Sequence, residues 1–226
     1  MAALMTLTAQ DLRQFSLLSV FTETELNTLL HISKLHAYEK DQIVFLEGES
    51  IKELYFVLEG WFKAEKVSRE GRGQTLRLIG PGEILNELAV FSGDSSSVSA
   101  VAMEPAVVFS LTQAQVEKLL TDSPSFSRAV IQNLAQRIQH LLNHIENLSL
   151  YPVEVRLARF LLDNAEEGMM TRQPWQTQSE IANQLGTVMD VVNRNLQKMA
   201  RRGLISLDRD TIKIVNQKGL EDLARG

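Results

Sequence analysis

The sequence contains no cysteine. That absence excludes disulfides, thiolate zinc sites and cysteine-ligated iron–sulfur clusters. No apolar run approaches the ~18 residues of a membrane span. The opening MAALMTLTAQ lacks the basic stretch of a secretory leader, so a cytoplasmic protein is expected. There is no low-complexity tract, and the 44% hydrophobic and 23% charged residues are those of an ordinary globular chain. Residues 43–110 hold no histidine, which leaves a metalloenzyme centre in that region without its usual ligands, and no metal site is expected. The Phe91–Ser95 stretch, FSGDS, has no nearby histidine to activate a serine and reads as a turn, so no catalytic residue is assigned and an enzyme is not expected.

Excess positive charge is also missing: the 226 residues carry a net charge of −5. That total conceals a division. Residues 1–153 carry 12 basic and 18 acidic side chains, whereas residues 154–226 carry 11 and 10. From Arg194 to Arg202 there are four positive charges and no negative one. Affinity for phosphate follows a local patch of this kind rather than the total.

The patch ends the most informative stretch, Thr177–Gly203. Thr177 and Glu180 have capping-box spacing, so a helix is predicted to start there. Ile181, Ala182 and Leu185 form its apolar stripe, and Gly186 stands where a left-handed residue ends a helix. A second helix follows, with Val188, Val191, Val192, Leu196 and Met199 on one face and Asp190, Asn193, Arg194, Gln197 and Lys198 on the other. A small buried interface, a tight turn and a polar helix are the components of a helix-turn-helix, which predicts DNA binding. The ISLDRDTIKIV that follows reads as a two-stranded wing.

Upstream, residues 1–40 read as short helices. From about Ile43, short strand-like runs alternate with glycine turns, and seven of the 12 glycines fall in this third of the chain. Regular short strands of this kind predict a sandwich or small barrel. After Pro124 the period becomes helical. Ile131, Leu134, Ile138, Leu141, Ile145 and Leu148 follow 3-4-3-4-3 spacing, a narrow seam that predicts a dimer interface rather than a helix buried in its own domain. Pro152 breaks this helix. The expected fold class is therefore α+β, with a sensor domain over residues 1–123, a dimerisation helix over 124–150 and a winged helix-turn-helix over 151–226.

In its order of parts, and in the segments GESIKELYFVLEG, PGEILNELAVFSGD, VRLARFLLDNA and SEIANQLG…VVNRNLQKMARRGLI, the chain resembles the Crp/Fnr transcription regulators. The resemblance covers nearly the whole length. It implies a cyclic-nucleotide-binding-type β-roll (a jelly roll), a long dimer helix and a winged helix-turn-helix. It further implies that Asp190, Asn193 and Arg194 read base edges, with Arg suited to guanine, Asp to cytosine N4 and Asn to adenine. Met189 stands where many members carry a polar donor, so one base contact is lost or becomes apolar. Thr177, Gln178 and Ser179 are implied phosphate contacts at a helix N-terminus, and Lys198 is a general phosphate-facing charge.

The same resemblance places an effector pocket around Asn86, Glu87, Leu88, Ser96 and Ser97. Nucleotide-binding members have a glycine where this chain has Asn86, and an arginine near Ser97. Losing such a charge-assisted contact of ~1.5–3 kcal/mol argues against cyclic AMP bound in the conventional mode. Haem remains an alternative cofactor through His31, His36, His140 or His144, which would make the protein a gas sensor. His140 and His144 also fit as solvated residues flanking the dimer seam. The expected partners are double-stranded DNA with a near-palindromic operator, a second copy of the chain, and RNA polymerase; no membrane is expected. The alternative to an effector-driven regulator is a member whose β-roll serves only as a scaffold or protein-docking surface.

Overall fold

A computed structural model describes residues 7–71 and 73–226; the opening segment read above for a leader begins outside them. In chain order the elements are α1 (Ala9–Arg13), α2 (Glu23–Ile32), β1 (Lys34–Tyr38), β2 (Ile43–Phe45), β3 (Glu53–Glu59), β4 (Phe62–Val67), β5 (Gly73–Ile79) and β6 (Ile84–Leu85). There follow α3 (Glu87–Ser92), β7 (Ser99–Ala102), β8 (Ala106–Thr112), α4 (Gln113–Asp122) and α5 (Pro124–Leu150). The C-terminal elements are α6 (Val153–Asp163), β9 (Met169–Thr171), α7 (Gln178–Gln184), α8 (Met189–Arg201), β10 (Ile205–Leu207), β11 (Thr211–Ile214) and α9 (Gln217–Arg225). The chain divides into two compact units, Met1–Ser68 with Leu76–Ile138, and Arg69–Thr75 with Gln139–Gly226.

The first unit is a roll of two four-stranded sheets, ordered β1-β8-β3-β6 and β2-β7-β4-β5. The two-residue period of a strand explains how β3 and β8 serve two cores at once. Leu54, Phe56, Leu58, Phe109 and Leu111 join the helical layer formed by α1, α2, α4 and the start of α5. Tyr55, Val57 and Val108 point the other way, into the space between the sheets, with Phe45, Phe62 and Ile79. Phe56 and Phe109 face each other across the ladder and stack at 4.5 Å. Phe15 meets both edge-on, at 5.2 and 5.4 Å, which closes the outer core.

The expectation of helix across residues 1–40 requires one correction. The helical run ends at Ile32, and Lys34–Tyr38 is a strand paired along its length with β8. KLHAY has little apolar alternation of its own. Its conformation comes from the hydrogen-bonding edge that β8 offers.

The second unit packs α6, α7, α8 and α9 around Leu157, Leu161, Ile181, Leu185, Val192, Leu196 and Met199. Its small sheet has the order β10-β11-β9, so the expected two-stranded wing gains a third strand. The glutamate of the expected capping box at Thr177 does not return its carboxylate. Thr177 Oγ1 accepts the Glu180 N–H at 3.2 Å, while the Glu180 side chain is turned inward and buried. Val188 also differs from expectation: it is the N-cap residue of α8 and 49% exposed, outside the buried stripe.

Candidate nucleic-acid interface and sensor pocket

Gly186 makes the turn between α7 and α8 for two reasons. Its φ of +61° is left-handed, and a Cβ there would lie 2.8 Å from Leu148 Cδ2. Beyond the turn, Val192, Leu196 and Met199 anchor α8 in the core. The opposite face presents Met189, Asp190, Arg194, Gln197 and Arg201 to solvent, with Asn193 half-buried beside them. Asp190 and Arg194 do not neutralise each other. Arg194 Nε donates to the Asp190 main-chain oxygen at 3.4 Å, and among the described residues no carboxylate lies within ion-pair distance of Arg194. The Asp190 side chain does not cap its helix either, because the N-cap is Val188 and has no side-chain hydrogen bond. Asp190, Asn193 and Arg194 thus share one outward face and are available to a partner.

At the start of α7, Thr177 and Ser179 are exposed and Gln178 half-buried. Gln178 borders a groove between α8 and the wing, together with Arg172, Asn193, Gln197 and Asp208. Arg172 was not singled out from the sequence, whereas Gln197 was placed on the polar face of the second helix. Gln197 was legible as one turn beyond Asn193 and Arg194, whereas Arg172 is brought in by the β9–β11 pairing.

Lys198 stands apart from the other expected contacts. Its Nζ lies 2.6 Å from Glu154 Oε2, and Arg202 Nη1 lies 2.9 Å from Glu154 Oε1. One carboxylate at the start of α6 therefore engages two of the four cations counted between Arg194 and Arg202. Arg194 and Arg201 remain the cations directed outward by α8.

On α5, Ile131, Ile138, Leu141 and Ile145 are each more than half exposed, as is Leu142 beside them. Two seam residues also meet their own chain: Leu134 packs against the helical layer of the roll, and Leu148 approaches Gly186. His140 is exposed and His31 lies in the last turn of α2. His36 Nε2 is 2.8 Å from Ser110 Oγ, with its ring edge-on to Tyr55. Burial, and then the Arg156 charge, hold the His144 imidazole below its usual range. Among the described residues no three histidine or carboxylate side chains gather as a metal site.

The residues expected to line a sensor pocket differ in exposure and partners. Asn86 takes the left-handed conformation (φ +66°), and its Nδ2 donates to the main-chain oxygens of Ile51 and Glu53 at 2.9 and 3.0 Å. The residue replacing glycine therefore ties the α3 turn to β3. Ser96 is buried and donates to Val98 O at 2.9 Å, whereas Ser97 and Leu88 are exposed. Glu87 is buried, but two arginines engage it. Arg137 of α5 pairs with its Oε1, and Arg77 of β5 approaches the same oxygen at 3.5 Å. Neither arginine was identified from the sequence, where nothing links positions 77, 87 and 137.

Residues 35–123 match the family of cyclic nucleotide-binding domains, and residues 155–223 match the Crp-like helix-turn-helix domain. The chain belongs to the Crp/Fnr family of transcription regulators. Crp/Fnr proteins similar to it include the CRP-like cAMP-activated global transcriptional regulator of Mycobacterium tuberculosis. That relative is 28% identical over 194 residues, 83% of this chain and 87% of that protein. The transcriptional regulator SdrP of Thermus thermophilus is 29% identical over 178 residues, 75% and 83% of the two chains. A solved Crp/Fnr regulator from Thermus thermophilus matches with a TM-score of 0.69 and 26% identity, across 85% of this chain and 99% of that one. The c-di-GMP responsive global regulator CLP of Xanthomonas campestris shares the fold, with a TM-score of 0.75 at 19% identity over 87% and 100% of the chains. The α+β architecture of roll, long helix and helix-turn-helix is that of the family, and the C-terminal unit is its DNA-binding domain. Among the described residues no helix is long and apolar enough to cross a membrane.

Proposed function

We propose that this Crp/Fnr regulator acts as a homodimer that reads a near-palindromic operator, with a roll that does not hold cyclic AMP in the usual way. The observation that carries the reading is the outward face of α8, where Asp190, Asn193 and Arg194 stand together and Arg194 has no competing carboxylate among the described residues. A guanidinium presented in this way can bond bidentately to guanine, while Asp190 and Asn193 can accept from or bond to neighbouring bases. Met189, 46% exposed at the first turn, adds an apolar contact where a polar donor is absent. Thr177, Gln178 and Ser179 hold the adjacent phosphates. The exposed apolar side chains of α5 supply the dimer contact, and two reading helices then fall about one helical turn apart on the duplex. DNA and RNA polymerase are the working partners, and the cytoplasm is the compartment in which they are met.

The pocket favours a member that needs no effector over a haem sensor. Glu87 already has two guanidinium partners, and the Ser96 hydroxyl is spent on Val98. The effectors in the relatives' names, cAMP for one and c-di-GMP for another, belong to those proteins. The test is selection of duplexes from a random pool by the full-length protein without additives, followed by titration with cyclic AMP. An enriched inverted repeat, bound equally with and without the nucleotide, is expected. Enrichment of single half-sites, or of no sequence, would contradict the reading.

A further inference from the structure

Four ionic side chains from four separate parts of the first unit meet beside the α3 turn. Arg77 comes from β5, Glu83 precedes β6, Glu87 opens α3 and Arg137 lies in the middle of α5. Arg77 Nη2 is 2.6 Å from Glu83 Oε1, and its Nη1 is 3.5 Å from Glu87 Oε1. Arg137 Nη1 pairs with the same Glu87 oxygen. The Ile84 main-chain oxygen accepts from both arginines, Arg77 Nη1 at 3.2 Å and Arg137 Nη2 at 3.3 Å. Asn133, one turn earlier on α5, accepts Arg137 Nε at 3.1 Å and fixes the direction of the guanidinium.

Two guanidiniums and two carboxylates balance, so the cluster is closed in charge. Its Glu87–Arg137 pair is largely removed from water, with side-chain exposures of 8% and 18%, whereas Arg77 at 27% and Glu83 at 43% lie nearer solvent. Burial, and next the neighbouring Arg77, push the Arg137 guanidinium down to about 9, which leaves it charged at neutral pH. A buried pair of this type adds little net stability over an apolar substitute, and its best-attested use is to specify one arrangement of the elements that it joins. Here those elements are the α3 turn and the helix that bears the exposed apolar side chains. Asn86 strengthens the turn's side of the tie by donating to Ile51 O and to Glu53 O at the start of β3.

We infer that Arg137 is an internal occupant of the sensor site, a positioning residue whose pairing with Glu87 holds α5 in the arrangement competent for operator binding without a small molecule. The inference rests on the operator-reading function proposed above. Removing Glu87 leaves the Arg137 charge buried without a carboxylate, and removing Arg137 leaves Glu87 only the longer 3.5 Å contact with Arg77, so α5 shifts from the pinned arrangement. Coupling of a size common between distant sites corresponds to roughly ten-fold or more in operator affinity.

The test compares the wild type with Glu87→Gln, Arg137→Gln and Arg137→Lys, all as full-length protein, on the selected operator and on a random duplex. Helix content and sedimentation are followed in parallel. Ten-fold weaker operator binding by Glu87→Gln and Arg137→Gln, with random-duplex binding unchanged, is expected. A double variant no worse than the weaker single variant is expected as well, because both remove one interaction. Arg137→Lys keeps the charge and restores most of the affinity. If Glu87→Gln fails to fold, the two Arg137 variants decide the matter alone. Operator preference within two-fold of wild type in the Arg137→Gln protein would overturn the inference, even if thermal stability fell. So would a wild type that prefers the operator only after cyclic AMP is added, a result that leaves operator reading intact. A wild type with no duplex preference under either condition removes both readings together.

Discussion

Replacing Ile145 by aspartate tests the role of α5 through a magnitude that the exposed side chains set. Ile131, Ile138, Leu141, Leu142 and Ile145 are 67, 59, 51, 54 and 57% exposed in the single chain. Complete burial of such a side chain is worth about 1.5–3 kcal/mol, so the exposed portion of each has about 1 kcal/mol still to gain. Ten such side chains in a pair of helices gain about 10 kcal/mol in total. This is of the same order as the ~4–15 kcal/mol cost of association, so the proposed dimer would depend on most of them. An Ile145→Asp change forfeits about 2 kcal/mol over the two copies and sets two carboxylates opposite apolar partners, at about 1–3 kcal/mol each. A loss of at least about 4 kcal/mol corresponds to a dissociation constant roughly a thousand-fold higher. Sedimentation equilibrium reads this directly, because the 25.4 kDa chain is easily distinguished from its dimer. A folded variant that still sediments as a dimer, at concentrations where the wild type is just associated, would refute this use of α5.

Three further perturbations probe separate parts of the account. Glu154→Gln should release Lys198 and Arg202 for phosphate contact, steepening the salt dependence of duplex binding by about 1 to 2 in logarithmic slope. An unchanged slope would show that those two cations do not face the duplex. Gly186→Ala should destabilise the C-terminal unit by roughly 1–3 kcal/mol, since alanine meets both a left-handed backbone and the nearby Leu148 methyl. Urea unfolding checks this, and a midpoint equal to wild type would refute it. Ser97→Arg returns a cation at the position where the resemblance implies one, yet it should confer no cyclic-AMP dependence while Arg137 remains on Glu87. Calorimetric titration with the nucleotide checks that, and a saturable heat would count against the occupied pocket.

Most of the architecture was legible because its signals are local. The short strand-like run ELYFVL between glycine turns foretold a strand at β3, and the spacing from Ile181 to Met199 foretold a helix pair joined at Gly186. What escaped depended on distant partners. Lys34–Tyr38 is extended because β8 supplies the ladder, and Met169–Thr171 joins the wing only through β11. The basic run at the end of α8 looked uniform as text, but Glu154, 44 residues before Lys198, divides it. The pocket shows the same limit more sharply. Serine at position 97 signals a missing cation, yet nothing in the order of residues indicates that Arg77 and Arg137 supply two from other elements.

The central claim is that α8 reads bases through Arg194. Its most direct test is competition between the selected operator and a random duplex for the Arg194→Ala protein at fixed salt. Losing a bidentate guanine contact of about 1–3 kcal/mol in each half-site should remove the preference while leaving non-specific binding, which is largely electrostatic, near that of wild type. Discrimination equal to wild type would contradict the claim.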